Sequence, residues 1–170
     1  GSEGTLGIIT EIVVGLAVRP ATPATIIATF PHIKNAAAAA AALLKFKPAK
    51  LIVVDTNENG LTELTRDLRS EHGQYIPAVF LTYPMNFGDH VFEKMFLKHA
   101  PFDIVANFAA HKHVRSEKDS FSIEAMIKNN VLDAKRLLDY LKLNKPSHFF
   151  CVSTDKAANP VNVMGGSKKM

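Results

Sequence analysis

The stretch FFCVSTDKAANPVNVMGGSK, Phe149–Lys168, starts as an apolar, β-rich run and ends as the opening of a helix. The run reads as a strand that closes at Ser153. Thr154, Asp155 and Lys156 follow, three polar residues able to exchange protons or donate hydrogen bonds. Asn159-Pro160 then forces a turn, because proline fixes its own φ and restricts the residue before it. Met164-Gly165-Gly166-Ser167-Lys168 reads as the start of a helix. A buried strand that delivers polar groups at its carboxyl end is the usual place for chemistry in an open α/β sheet.

Upstream, strand and helix patterns alternate. Thr25–Phe30, TIIATF, is a short strand candidate closed by Pro31. Ile33–Phe46, with seven consecutive alanines before Leu43, Leu44 and Phe46, is helical by propensity, with a plain low-complexity run as the alternative reading. Leu51–Asp55, LIVVD, is a continuous apolar run ending in an acid, the pattern of a parallel strand buried on both faces. Leu61, Leu64 and Leu68 recur at helical spacing. Ala78–Tyr83 is a third strand. Val91, Phe92, Met95, Phe96 and His99 predict the buried face of a helix, and Phe102–Phe108 a fourth strand. The longest helix is predicted within Ser116–Leu143, with an apolar stripe of Ile127, Val131, Ala134, Leu138 and Leu141. Asn130 lies on that stripe, so its amide must find partners or lose about 1–3 kcal/mol to desolvation. His148–Ser153 is the fifth strand.

This alternation predicts a Rossmann-like α/β fold, a three-layer parallel sheet with helices on both faces. Right-handed crossovers give the strand order 3-2-1-4-5. The expected division is a short β arm over residues 1–24, in which Ile8–Val18 reads as strand, followed by a Rossmann-like domain over residues 25–170.

With 170 residues, 47% apolar and 21% charged, the chain is of globular composition and long enough for one real core. A net charge of +4 with scattered Lys and Arg gives no case for nucleic acid as a partner. No apolar run approaches the ~20 residues of a membrane span. The single cysteine, Cys151, excludes an internal disulfide and fits a reducing, cytoplasmic setting. Within its strand it reads as a small core residue. His111 and His113 flank Lys112 with no third ligand near in sequence, so no metal is predicted. Asp55 at a strand end suits either a ribose hydroxyl or a turn. Asn107, Ala109 and Ala110 suit either a cofactor crossing the sheet or close helix packing.

From about Leu44 to Lys168 the chain resembles the extended short-chain dehydrogenases/reductases. Within them it is similar to the nucleotide-sugar 4,6-dehydratases and epimerases of polysaccharide biosynthesis. The matching pieces are LIVVDTNENGL, FDIVANFAAHKHVRSEKD, EAMIKNNVLDAKRLLDYL and HFFCVSTDKAANPVNVMGGSKK. The resemblance implies NAD or NADP as cofactor and a UDP-N-acetylhexosamine, of the UDP-N-acetylglucosamine type, as substrate. It implies that Asp55 holds the adenosine ribose and that Asn107, Ala109 and Ala110 line the cofactor. It also implies that Asn130 orders the active-site lysine, and that Lys168 binds the nicotinamide ribose and lowers a neighbouring pKa. Thr154, Asp155 and Lys156 would face the sugar, with Asp155 and Lys156 as the acid–base pair. The implied reaction is a lyase reaction: C4 is oxidised, the C5 proton is removed, the C6 hydroxyl leaves as water and hydride returns to C6.

Two departures stand out. The wider superfamily has a tyrosine four residues before the lysine, where this chain has Met164. A thioether has no titratable proton, so Asp155 would have to act as base and Met164 reads as core filling. The second departure is the first β-α link, Pro31-His32, which lacks the glycines that let backbone N–H groups and a helix N-terminus reach phosphates. Weakened or lost diphosphate binding is the expectation, and with it weak or absent activity. The opening GSEGTLGIITEIVVGLAVRPATPATIIATFPHIKNAAAAA resembles FAD-linked oxidases of the glycolate oxidase and D-lactate dehydrogenase type, in which GSEGTLGI contacts the flavin. Two families meeting near Ala42 predict a chimera. The family's further strands are expected beyond Met170, so the sugar site is expected to be incomplete. An exposed apolar sheet edge would predict a homodimer.

Overall fold

The computed structural model describes residues 25–29, 43–70, 75–111 and 117–170. The expected β arm over 1–24, the Pro31-His32 link, most of the alanine helix and His113 lie outside these residues. Five strands, β1 (Thr25–Thr29), β2 (Lys50–Asp55), β3 (Val79–Pro84), β4 (Ile104–Asn107) and β5 (His148–Cys151), form one sheet in the order β3-β2-β1-β4-β5. All four pairings are parallel. The predicted order is therefore the observed one, and every strand delivers its carboxyl end to the same edge.

The helices are α1 (Glu58–Ser70), α2 (His90–His99), α3 (Ser120–Ile127), α4 (Ala134–Leu143) and α5 (Val163–Lys169). α3 and α4 are joined without a break by a π-helical turn, Lys128–Asp133. Alternation along β2 explains the layers, since successive side chains point to opposite faces of a strand. Leu51 and Val53 pack against Leu61, Leu64 and Leu68 of α1 on one face. Ile52 and Val54 pack against Phe92, Met95 and Phe96 of α2 and Leu137 and Leu141 of α4 on the other. Phe96 anchors that second layer, its ring 4.8 Å from Phe102 and 5.8 Å from Tyr140 between centroids.

Several expectations are corrected. β5 is not buried: all four of its residues are exposed, including Phe149 and Phe150, because nothing among the described residues lies beyond it. Cys151 is accordingly exposed rather than a core residue. Val91 is also exposed, since α2 turns only Phe92, Met95 and Phe96 to the sheet. On the long helix the buried line is Met126, Asn129, Asn130, Asp133, Leu137 and Leu141, while Leu138 is exposed. The wide π turn shifts the helix phase, so a regular 3.6-residue pattern carried across it selects the wrong face. Met164 is buried, in line with core filling.

Candidate active site

The cleft opens at the carboxyl ends of the strands, beside the point where the strand order reverses between β1 and β4. A cavity of about 180 Å³ lies there, lined by Val54, Asp55 and Thr56 after β2, Met85–Phe87 after β3, Ala109–His111 after β4, and Asn129 of the π turn. Asp55 is buried, and its Oδ1 accepts from Asn57 N–H at 2.9 Å. Asn57 in turn accepts from Gly60 N–H at 3.0 Å, which starts α1 directly behind the acid. A buried carboxylate fixed by local backbone is a preformed acceptor at the cavity wall. Ala109 and Ala110 contribute no bulk, and Asn107 Oδ1 accepts from Ala109 N–H at 3.1 Å to set the loop.

Asn130 is the hub between this loop and the last helix. Its Oδ1 accepts from His111 N–H at 2.9 Å, and its Nδ2 donates to His111 C=O and to Ser167 Oγ, both at 3.0 Å. Asn129 Nδ2 also donates to Asn130 Oδ1 at 3.1 Å. The amide that the sequence places on an apolar stripe is thus satisfied, and two neighbouring buried asparagines fit because the π turn widens the helix face. The link to the lysine passes through its neighbour: Ser167, not Lys168, is the residue Asn130 touches.

At the far end of the cleft, Thr154 caps a 3-10 turn, Asp155–Ala157. The Thr154 hydroxyl donates to Asp155 Oδ1 at 2.9 Å and holds that carboxyl below its ordinary pKa. Asp155 and Lys156 are both exposed, and no ion pair joins them among the described residues. Lys168 Nζ donates to the Val152 carbonyl at 3.4 Å, and burial pushes its ammonium below the ordinary lysine pKa. α5 is anchored at its start: Asn162 Oδ1 accepts from Gly165 N–H at 2.7 Å, and Glu117 Oε1 from Met164 N–H at 2.8 Å. A Cβ on Gly165 would come 2.6 Å from the Lys156 carbonyl oxygen, so α5 packs directly on the turn that carries Asp155.

The structure therefore brings Asp55, Ala109 and Ala110 to one cavity, with Asn107 and Asn130 fixing its β4 wall. It sets Thr154, Asp155, Lys156 and Lys168 on the same sheet edge but outside the cavity, three strand spacings from β2, about 14 Å. The sequence reading missed Met85–Phe87, Asn129, Ser167 and Glu117. A strand end after β3 was the available signal for the first group, and adjacency to Asn130 for Asn129. His111 lines the cavity, and no group of metal-ligating side chains occurs among the described residues. No helix among them is long and apolar enough to cross a membrane.

A parallel sheet in this order, helices on both faces and a cleft at the carboxyl ends define a Rossmann-like α/β protein. The structure of UDP-glucose-4-epimerase from Stenotrophomonas maltophila, with bound NAD and formylated UDP-arabinopyranose, matches with a TM-score of 0.62 over 86% of this chain and 46% of that chain. At 17% identity that likeness speaks for the fold. The family described as polysaccharide biosynthesis protein matches residues 37–170, and the chain belongs to it. Capsular polysaccharide biosynthesis protein CapD of Staphylococcus aureus is 32% identical over 126 residues, 74% of this chain and 20% of its own length. An uncharacterized membrane protein of Methanocaldococcus jannaschii is 38% identical over 129 residues, 74% of this chain and 34% of its own length. The chain thus spans between 20% and 34% of the length of these curated relatives.

Proposed function

We propose that this chain is the cofactor-binding part of a nucleotide-sugar 4,6-dehydratase/epimerase-type enzyme of polysaccharide biosynthesis, with NAD or NADP as cofactor and a UDP-N-acetylhexosamine as substrate. The observation that carries this reading is the buried Asp55 carboxylate across a cavity from Ala109, Ala110 and Asn129, at the edge where the strands end. A carboxylate accepts hydrogen bonds from ribose hydroxyls, and alanines leave room for the cofactor to cross the sheet, so these residues fit the group. A bound nicotinamide cofactor would supply the hydride chemistry, as acceptor for oxidation at C4 and donor for reduction at C6.

The protein's share is placement and proton transfer. Lys168 holds the nicotinamide ribose, and Asn130 fixes the loop that the cofactor lies on. Asp155, exposed and ionised at neutral pH as an ordinary aspartate is, takes the C5 proton. Lys156 supplies the proton that lets the C6 hydroxyl leave as water and is recharged by the proton that the C4 hydroxyl gives up on oxidation, while Asp155 returns its proton to C5 when hydride reaches C6. Met164 takes no part. We read residues 25–170 as one domain acting in the cytoplasm, with a second copy covering the open β5 edge.

A second reading, a catalytically silent domain, is favoured by one observation: the family match begins at residue 37, after Pro31-His32. We read residues 1 to about 42 as the segment similar to FAD-linked oxidases, with a Pro31-His32 link too poor in free N–H groups to hold a diphosphate tightly. Thermal unfolding with NAD, NADP, UDP-N-acetylglucosamine and FAD tests both readings. A rise in Tm with a nicotinamide nucleotide and none with FAD is expected. No response to either nicotinamide nucleotide at millimolar concentration would overturn the first reading, and a response to FAD alone would assign the chain to a flavin.

A further inference from the structure

Gly88 lies in the turn between β3 and α2, with backbone angles outside the left-handed region, so conformational freedom does not explain the missing side chain. Space does. A Cβ built on Gly88 would fall onto the carboxyl carbon and both oxygens of Asp133. Asp133, the last residue of the π turn, is fully buried. Its Oδ2 accepts from Lys128 Nζ at 2.7 Å, and its Oδ1 lies 3.8 Å from Arg136 Nη1. The same guanidinium nitrogen donates to the Gly88 carbonyl at 3.2 Å. On the other side of the glycine, Asn86 Oδ1 accepts from Gly88 N–H at 2.8 Å. Asn86 and Phe87 line one wall of the cavity, and Asn129, one helical turn before Asp133, lines another.

We propose that Asp133 is a positioning residue for the cleft: its carboxylate occupies the side-chain space of residue 88 and, with Lys128 and Arg136, locks the Asn86–Gly88 loop to the π turn. The pair is complementary, one residue bare because the other fills its place. The inference rests on reading the cleft as the nucleotide site for its effect on binding, but not for the coupling itself. A plain core role predicts lost stability with unchanged geometry of the loop. A positioning role predicts that loop and affinity move together and that the carboxylate can be supplied from the other side.

The test uses the full chain and compares Gly88→Ala, Asp133→Asn, Asp133→Ala, the double variant G88A/D133A and the exchange G88D/D133A. NAD affinity is measured by calorimetry, stability by urea unfolding and loop protection by amide exchange. Gly88→Ala and Asp133→Asn are each expected to weaken NAD binding by about tenfold. G88A/D133A should be closer to wild type than Gly88→Ala alone, and G88D/D133A should recover affinity to within about threefold. Additive effects in the double variant, or Asp133→Asn with wild-type affinity and wild-type exchange at residues 86–88, would overturn the proposal. Should the unaltered chain not respond to NAD, the nucleotide reading fails by itself. Exchange then decides: lost protection at residues 86–88 in Asp133→Asn supports the lock, and unchanged protection sinks it.

Discussion

At the Asp55 end of the cleft, the carboxylate, Asn129 and Asn130 are buried, and hydrogen bonds to backbone or to one another hold them. At the Asp155 end, Asp155 and Lys156 stand in solvent on a single 3-10 turn, and the strand below them is exposed along its whole length. The two ends share one sheet edge, yet Asp155 and Lys156, unlike the polar groups of the first end, are not held by packing. Groups that must hold a ligand gain from being fixed before it arrives, because less order is lost on binding. Groups that transfer protons need hydrogen-bond reach to the reacting atom. Under the proposed function, that difference separates the half that would bind the cofactor from the half that would react.

The strongest way to break the contrast is to cut the tie between the halves. Asn130→Ala strips partners from the His111 N–H and C=O and from Ser167 Oγ, and should lower stability by about 2–4 kcal/mol. Urea unfolding measures this, and an unchanged midpoint would show that the ends are independent. Next comes Gly165→Ala, whose Cβ would press on the Lys156 carbonyl. It should destabilise by about 1–3 kcal/mol, with amide chemical shifts moving in the 154–158 turn and not around Asp55.

A smaller effect concerns pH. Burial lowers the Lys168 pKa, so its stabilising contribution is present above the ordinary lysine value and is lost as pH falls through the folded value. The stability of the wild type relative to Lys168→Met should therefore rise as pH is taken from neutral into the lysine range. The smallest effect is that of Thr154→Val, which removes the donor that keeps the Asp155 pKa down. A carbon-detected NMR titration should find the Asp155 carboxyl moved up toward its ordinary range, with no resolvable change in Tm because the group is fully exposed.

Much of the fold was legible because its signals are local. LIVVD announces a strand buried on both faces, and β2 is that strand. The leucines of α1 fall at helical spacing, and the crossover rule orders the strands. Asp55, Asn107 and Asn130 were legible as strand-end or on-stripe polar residues. What was not legible depends on phase or on distant neighbours. The π turn hides from periodicity, since it changes the period within one helix, and with it went Asn129, Asp133 and the true buried line through Met126 and Leu137. Cys151 and Phe150 look like core by residue type, but exposure depends on what lies beside β5, which no pattern inside β5 records. Met85–Phe87 carry no chemical signature and reach the cavity only because β3 ends beside β2.

The lone thiol gives the molecule a practical property. Cys151 is the single sulfhydryl in the chain and stands open to reagents on the outermost strand, two residues before Ser153. A maleimide dye would attach there in a single copy, report from the margin of the cleft, and react more slowly where a second copy covers β5. Air oxidation, for the same reason, can join two chains and no more.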